Sequence, residues 1–299
     1  MPARPSSSPW LTLALFSTPV IWGVSFPAGK VALETLDLWD FMAWSRGLGL
    51  ALMIVVVLAV PTARRVLDRR LILPGAVLGA LVTVAFAVQT LGLRETTATN
   101  AGFITGLYVV LVPLLAALVL HERMTAGSAA AALLALVGLA LLSLRGVEVN
   151  RGDLYVLGGA FLFAVHLLAL GRLAPRYNPL ALGFAQMAGT AVLHTLLALP
   201  GGLDPGAAAD VWGPLIVTGV LSSGVAYLLQ VVAQQAISPA RAAVILAGES
   251  LFAAISGAIW LDERLTWRQW VGAGLMVAAM VLSEVRAARG PVLDPASGA

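Results

Sequence analysis

The sequence contains no cysteine and few charged residues, and both absences narrow the range of functions. Without cysteine, the chain has no disulfides, no thiolate metal sites and no cysteine nucleophile. Charged residues make up 11% of the chain, hydrophobic residues 60%, and the mean hydropathy is +0.93. Soluble domains do not have such a composition. We therefore expect an integral membrane protein with no room for a soluble domain.

Signatures of enzymes and of metal sites are missing as well. The sequence has no HExxH, P-loop or GxSxG motif and no paired aspartates inside its apolar segments. Its three histidines are scattered, which argues against a metal site. We predict that the chain is not an enzyme, and we predict neither a cofactor nor a bound metal.

Long apolar runs occupy most of the chain. Each has about 20 residues, enough to cross the roughly 30 Å of hydrocarbon in a bilayer. The runs cover residues 10–31, 38–60, 71–93, 98–120, 127–144, 154–173, 180–199, 212–234, 240–261 and 267–285. Ten membrane-spanning helices are therefore predicted.

The second half of the sequence repeats the first at a constant offset of 141 residues. Gln89 falls on Gln230 and Glu122-Arg123 falls on Glu263-Arg264, and polar coincidences of this kind indicate duplication. Since five helices per repeat is an odd number, the repeats must be inverted relative to each other. The predicted fold is an all-α integral membrane protein with two inverted five-helix repeats around a central cavity. Its predicted units are an N-terminal segment (1–9), two repeats (10–145 and 151–286) and a tail (287–299).

The distribution of arginine predicts how the chain lies in the membrane. Ten arginines fall on one side of the predicted helices and five on the other, and the richer side is expected to be cytoplasmic. Both termini are then cytoplasmic, and we predict a multi-pass protein of the bacterial cytoplasmic membrane. The formal charge of +3 reflects this topology, so nucleic acid is not a predicted partner.

Three stretches resemble a known family. Trp22-Gly23-Val24-Ser25-Phe26-Pro27 before Lys30 resembles the opening helix of the drug/metabolite transporter superfamily, in its ten-helix branch with two EamA-type repeats. Thr105-Gly106-Leu107-Tyr108 and Glu249-Ser250-Leu251-Phe252 resemble the fourth helix of each repeat, with Ser250 where proline is common. The resemblance implies a small-solute transporter, with amino-acid exporters of the YddG type among its relatives. It also implies a cavity between helices one, three, four, six, eight and nine.

Glu249 and His166 are the candidates for coupling transport to protons. Glu249 lies about 14 Å along helix nine at 1.5 Å per residue, close to the midplane. A charge there is costly, so the carboxylate is expected either to bind a proton or a substrate ammonium, or to be hydrogen-bonded within the protein. His166 is equivalent to Ser25 and either relays protons or bonds to a neighbouring helix.

Other polar and aromatic positions complete the predicted site. Gln89 and Gln230 are expected either to contact substrate at the two ends of one pathway or to bond between helices. Arg46 has Met187 as its equivalent; it could snorkel, bind a substrate carboxylate or pair with an outer carboxylate, and we favour pairing because helix two is expected to be peripheral. Lys30 is expected to snorkel outward. The predicted cavity residues are Trp22, Ser25, Gln89, Tyr108, Phe163, His166, Tyr227, Gln230 and Glu249.

The function predicted from these features is a secondary transporter that exports small metabolites by alternating access. Amino acids with apolar or aromatic side chains are the preferred substrates, protons are a candidate coupling ion, and one copy is expected to suffice because ten helices can enclose a cavity. A multidrug or other metabolite exporter or exchanger would share this pattern. A membrane channel is a further alternative.

Overall fold

Helices form over each of the ten predicted segments. The computed structural model describes residues 9–61, 68–121, 125–143, 150–260 and 266–288. The Glu122-Arg123 and Glu263-Arg264 pairs, residues 1–8 and residues 289–299 lie outside these ranges. The helices are α1 (Pro9–Thr35), α2 (Leu38–Ala59), α3 (Ile72–Glu95), α4a (Ala98–Gly106), α4b (Tyr108–Leu120), α5 (Ala126–Ser143), α6 (Arg151–Leu173), α7 (Pro179–Ala198), α8 (Trp212–Leu215, Ile216–Ala226 and Tyr227–Ala233 in succession), α9a (Pro239–Leu246), α9b (Glu249–Trp260) and α10 (Trp267–Ala288).

The all-helical membrane architecture is confirmed. Within the described ranges, eight helical segments are long and apolar enough to cross a bilayer: α1, α2, α3, α4, α6, α7, α8 and α9. Helix α5 is apolar but shorter, and α10 does not meet the same criteria. A total of ten membrane crossings therefore stays a prediction.

Polar residues between the apolar runs determine where several helices begin. The Asp37 side chain accepts hydrogen bonds from the first amides of α2, and Asn178 does the same for α7. Asn150 and Asp153 form a reciprocal capping box at the start of α6. These side chains satisfy backbone N–H groups that have no partner inside the helix.

Helices α4 and α9 are interrupted at equivalent positions. The chain leaves α-helical geometry at Leu107 in α4 and at Ala247-Gly248 in α9, where N–H groups bond to the carbonyl three residues earlier. With the offset of 141, the second halves begin at matched residues, Tyr108 and Glu249. The sequence predicts continuous helices here, whereas the structure has two tightened turns of the kind that often marks a hinge.

Close crossing of α4a and α9b brings the two interrupted helices together. A Cβ at Gly102 would lie 2.6 Å from Ala253 Cβ, and one at Gly106 would lie 2.5 Å from Ser250 Oγ. Ser250 Oγ also donates to Gly102 O at 2.6 Å. The two glycines therefore let α4a and α9b cross closely, and Ser250 supplies a bond that proline could not make.

Helix α2 packs against an unusual part of α8. Residues Ile216–Ala226 are π-helical, and Ser223 Oγ donates to Thr218 O five residues earlier. A Cβ at Gly49 of α2 would lie 2.8 Å from Ser223 Cβ, and one at Gly219 would lie 2.8 Å from Leu48 Cβ. Glycine on both helices therefore lets the backbones of α2 and α8 approach closely.

Candidate functional site

A cavity lies in the middle of the bundle, between helices of both repeats. Its volume is about 60 Å³. All nine residues predicted from the sequence contribute to its lining. Their place around one cavity is thus a finding, while their part in binding substrate stays a prediction.

Helix α2 contributes to the cavity on one face, while Ile54, Val55 and Leu58 remain exposed. Its Phe41 and Arg46 line the cavity beside residues of α1, α3, α4, α6, α8 and α9. The reason is the close glycine-mediated contact between α2 and α8. Periodicity within one apolar run cannot reveal such a contact, because it depends on glycines from both helices.

Four aromatic rings form the centre of the cavity wall. The Trp22 and Tyr227 ring centroids are 5.1 Å apart, and those of Phe86 and Phe163 are 5.0 Å apart in an edge-to-face arrangement. Phe86 also contacts Tyr227, with 5.8 Å between centroids. Trp22 is the repeat equivalent of Phe163, and Phe86 is the equivalent of Tyr227. The two close ring pairs are therefore equivalent contacts, and the cluster is built symmetrically from both repeats.

The two matched glutamines differ in their hydrogen bonding. Gln89 Nε2 donates to Thr105 Oγ1 at 2.8 Å, which joins α3 to α4a. Gln230 is buried, and its Oε1 has no hydrogen-bond partner. The residue equivalent to Thr105 is Leu246, which offers no polar group. Interhelical bonding thus accounts for Gln89 but not for Gln230 Oε1.

Glu249 lies at the first residue of α9b, beside the break in the helix. Its side chain is 3% exposed, and Oε1 has no hydrogen-bond partner. The Tyr108 side chain lies close to that of Glu249, and the two interact electrostatically and at hydrogen-bond range, although Tyr108 Oη and Glu249 Oε1 do not meet the geometry of a well-formed hydrogen bond. Two equivalent residues of the repeats thus bring a carboxyl group and a phenol hydroxyl together in one cavity.

His166 and Ser25 are equivalent residues with different partners. His166 Nε2 lies 3.2 Å from Gln186 Oε1 of α7, an interhelical hydrogen bond. Ser25 Oγ donates to Trp22 O at 2.7 Å within its own helix. Both side chains line the cavity. The hydrogen-bonded interpretation of His166 is confirmed, and a role in proton transfer stays a prediction.

Arg46 is a cavity residue that the sequence did not place correctly. It is 3% exposed, donates from Nη1 to Ser223 Oγ, and lies with its guanidinium carbon 3.7 Å from the Phe86 ring centroid. Among the described residues, no carboxylate lies within ion-pair distance of it. The predicted pairing with an outer carboxylate is therefore wrong. Its equivalence with apolar Met187 was the available sign that this charge has a specific use.

The cavity extends from the midplane toward the end of the bundle where α1 ends, here called the Thr35 end. Its lining runs from Trp22 to Gly29 on α1 and from Phe86 to Leu93 on α3. At the opposite end, the Pro9 end, buried apolar side chains pack together. They include Leu15, Val112, Leu168 and Ile245 from four helices and Ile237 from the turn before α9a.

Lys30 fastens α1 to α3 near the Thr35 end. Its Nζ donates to Leu93 O at 2.8 Å and to Thr96 O at 2.5 Å. The last carbonyls of α3 lack helical partners and attract the ammonium, so the side chain reaches toward the Thr35 end. That Lys30 snorkels to the outer membrane surface stays a prediction.

Comparison with known proteins agrees with this architecture. The sequence profile of the EamA-like transporter family matches residues 9–144 and again residues 150–284. The chain belongs to the EamA-like transporter family. An EamA-like transporter is a multi-pass membrane protein, and its family implies a small-molecule substrate and a lipid bilayer as surroundings. Membership in the drug/metabolite transporter superfamily is thereby confirmed.

Two related transporters match this EamA-like protein over most of its length. One is an uncharacterized transporter of Archaeoglobus fulgidus, 30% identical over 275 residues, which cover 92% of this chain and 85% of the relative. The other is the uncharacterized transporter YcxC of Bacillus subtilis, 26% identical over 281 residues, which cover 89% of each chain. Both names support membrane transport, and neither specifies a substrate.

A solved crystal structure shares the fold. It aligns with a TM-score of 0.77 at 19% identity and covers 95% of this chain and 99% of its own. Likeness at this level of identity concerns the fold alone. The more specific resemblance to exporters of the YddG type stays a prediction.

Proposed function

We propose that this EamA-like protein exports amino acids with apolar or aromatic side chains across the bacterial cytoplasmic membrane. The observation that carries the proposal is the buried, aromatic-lined cavity in which Glu249 presents an oxygen without a partner. A substrate ammonium would complete the hydrogen bonding of that carboxylate, and apolar side chains suit the four rings around it. One copy encloses the cavity, so the monomer is the proposed functional unit.

Alternating access is the proposed mechanism. Repeats related by an axis in the membrane plane can exchange conformations, which exposes one central site to each side in turn. Equivalent breaks at Leu107 and Gly248 supply hinges on both halves. In the present conformation the cavity extends toward the Thr35 end, which the arginine distribution predicts to be the outer side.

Protons are the proposed coupling ion, with Glu249 as the coupling residue. A proton and a substrate ammonium would compete for the same carboxylate oxygens. A carboxylate without either ligand is costly inside the membrane, so Glu249 would exchange a bound proton for a substrate. This exchange would link export of the substrate to import of the proton. His166 is the second candidate for proton transfer, through its bond to Gln186.

The decisive experiment is uptake of a labelled amino-acid panel into vesicles that contain the purified protein, with and without a pH gradient. We expect saturable uptake of apolar and aromatic amino acids that increases with the gradient. Glu249→Gln should abolish the pH dependence, because the amide neither binds nor releases a proton near neutral pH. The matched control is Glu34→Gln, which removes an exposed carboxylate of α1 outside the cavity.

Three results would contradict parts of this proposal. Flux that never saturates would indicate a channel. Saturable uptake restricted to non-amino-acid compounds would favour the exporter of drugs or other metabolites. Unchanged pH dependence in the Glu249→Gln variant would remove that residue from coupling.

A further inference from the structure

Arg46 is a buried cation for which the described part of the protein supplies no anion. Only Nη1 has a side-chain acceptor, the Ser223 hydroxyl, while Nε has no hydrogen-bond partner. The described carboxylates near the Thr35 end, Asp40 among them, lie beyond ion-pair distance. A lone charge at a helix centre costs roughly 2.5 to 3.5 kcal/mol on translocon scales, so its retention calls for a reason.

The groups around Arg46 do not neutralise it. Phe86 offers the face of its ring, and Tyr227 interacts with the guanidinium from α8. On α7, the buried His194 is close enough for an electrostatic interaction. A ring face, a phenol and an imidazole carry no formal negative charge at neutral pH. This part of the cavity therefore has an unbalanced positive charge.

Arg46 and Glu249 are two opposite charges in the same cavity that do not pair with each other. Tyr227 interacts electrostatically with both, and the four-ring cluster lies in the same wall. No described carboxylate, Glu249 included, is within 4.0 Å of the guanidinium. The cavity thus presents a guanidinium and a carboxyl group as separate sites, an arrangement complementary to a molecule that carries both an anionic and a cationic group.

We propose that Arg46 binds the carboxylate of the substrate and thereby makes the cavity selective for zwitterionic α-amino acids, an inference that rests on the proposed transport function. Glu249 and the unpartnered Gln230 Oε1 accept from the ammonium, and the side chain lies against the rings. The guanidinium has a planar fork of donors that matches a carboxylate. Amines and cationic drugs lack the group that Arg46 requires.

Binding and vesicle uptake of matched probe triplets test this assignment. One triplet is L-phenylalanine, phenethylamine and 3-phenylpropionate; the other is L-leucine, isoamylamine and 4-methylpentanoate. The three compounds of a triplet share one side chain. The first carries both charged groups, the second carries only the ammonium, and the third carries only the carboxylate. In the wild type we expect the amino acid to exceed both analogues by about 10- to 100-fold in affinity, as expected for a charged hydrogen bond.

Variants separate the two charged sites. Arg46→Met, which installs the residue of the equivalent position 187, should bind phenylalanine and phenethylamine equally. Arg46→Lys should recover part of the preference, because it restores the charge without the fork. Glu249→Gln should remove the preference for phenylalanine over 3-phenylpropionate instead. Arg151→Met, at an exposed arginine outside the cavity, should behave as the wild type.

Each outcome bears on a different statement. If the wild type carries amines as well as amino acids, or if Arg46→Met keeps the preference for phenylalanine, the assignment of Arg46 is overturned while transport stands. If the wild type carries no member of either triplet, amino-acid export itself fails. Thermal unfolding of each variant in detergent distinguishes binding from folding: we expect no loss of Tm in Arg46→Met, whereas a merely structural arginine would lower it.

Discussion

At the scale of single residues, the unmatched positions of the two repeats carry most of the chemical information. Gln89 and Gln230 are identical, yet one is satisfied by Thr105 and the other has a free oxygen because Leu246 replaces the threonine. A buried polar atom without a partner is costly, so it persists where function requires it. The first glutamine supports the fold, and the second has an oxygen that the proposed substrate would satisfy.

Leucine substitutions at the two positions should therefore separate stability from transport. Gln89→Leu leaves Thr105 Oγ1 without its partner and should lower the free energy of unfolding by about 1 kcal/mol. Gln230→Leu should leave Tm unchanged or raised and should reduce uptake. Thermal unfolding and vesicle uptake, measured on both variants, check this pair. Equal effects of the two substitutions on both quantities would contradict it.

The nine residues named from the sequence line one cavity, because polar and aromatic side chains inside apolar runs face protein or water. The sequence did not predict the position of Arg46. Burial of that residue depends on Gly49 and Gly219, which come from different repeats and affect packing only when α2 meets α8. Local pattern specifies which faces are polar, whereas close backbone contacts specify where those faces meet.

At the scale of helices, the interruptions of α4 and α9 are the feature that the sequence left unseen. Runs 98–120 and 240–261 are predominantly apolar on both sides of each break, so their mean hydropathy does not mark Leu107 or Gly248. The tightened turns become visible only beside the crossing of α4a and α9b. Small residues at that crossing hold the two broken helices in contact, and Ser250 adds a hydrogen bond to Gly102 O.

Moving one methyl group from residue 253 of α9b to residue 102 of α4a tests how much this helix crossing matters. Gly102→Ala should place its Cβ against Ala253 and cost roughly 1 to 3 kcal/mol of stability, with reduced transport. The double variant Gly102→Ala, Ala253→Gly should recover most of both, because the space is restored from the other side. Gly47→Ala is the control, since nothing lies within 4 Å of its added Cβ. Failure of the double variant to recover would show that the contact has another role.

At the scale of the whole molecule, the two ends of the bundle differ. The cavity extends toward the Thr35 end, and the Pro9 end is packed with apolar side chains of several helices. Ser25 and Thr18 lie two turns apart on α1; Ser25 lines the cavity, whereas Thr18 is fully buried below it. If the protein opens alternately to the two sides of the membrane, residue 25 should be reached from one side and residue 18 from the other.

The absence of native cysteine makes this testable with single substitutions. Ser25→Cys should react with a membrane-impermeant thiol reagent added outside, and substrate should slow the reaction. Thr18→Cys should be unreactive without substrate and should become reactive from the cytoplasmic side during transport. Labelling of right-side-out and inverted vesicles, followed by mass measurement, distinguishes the sides. Reaction of Ser25→Cys only from the cytoplasm would reverse the proposed orientation.

The symmetric ring cluster has an energetic consequence. In two identical inverted halves, the state open to one side and the state open to the other would have the same energy, because each is the other rotated. The matched contacts Trp22–Tyr227 and Phe86–Phe163, at 5.1 and 5.0 Å, contribute nearly equally to both states. Any preference for one resting state must then come from the unmatched positions, such as Arg46 against Met187 and Thr105 against Leu246. The side chains at unmatched positions therefore determine which of the two states the protein adopts without substrate.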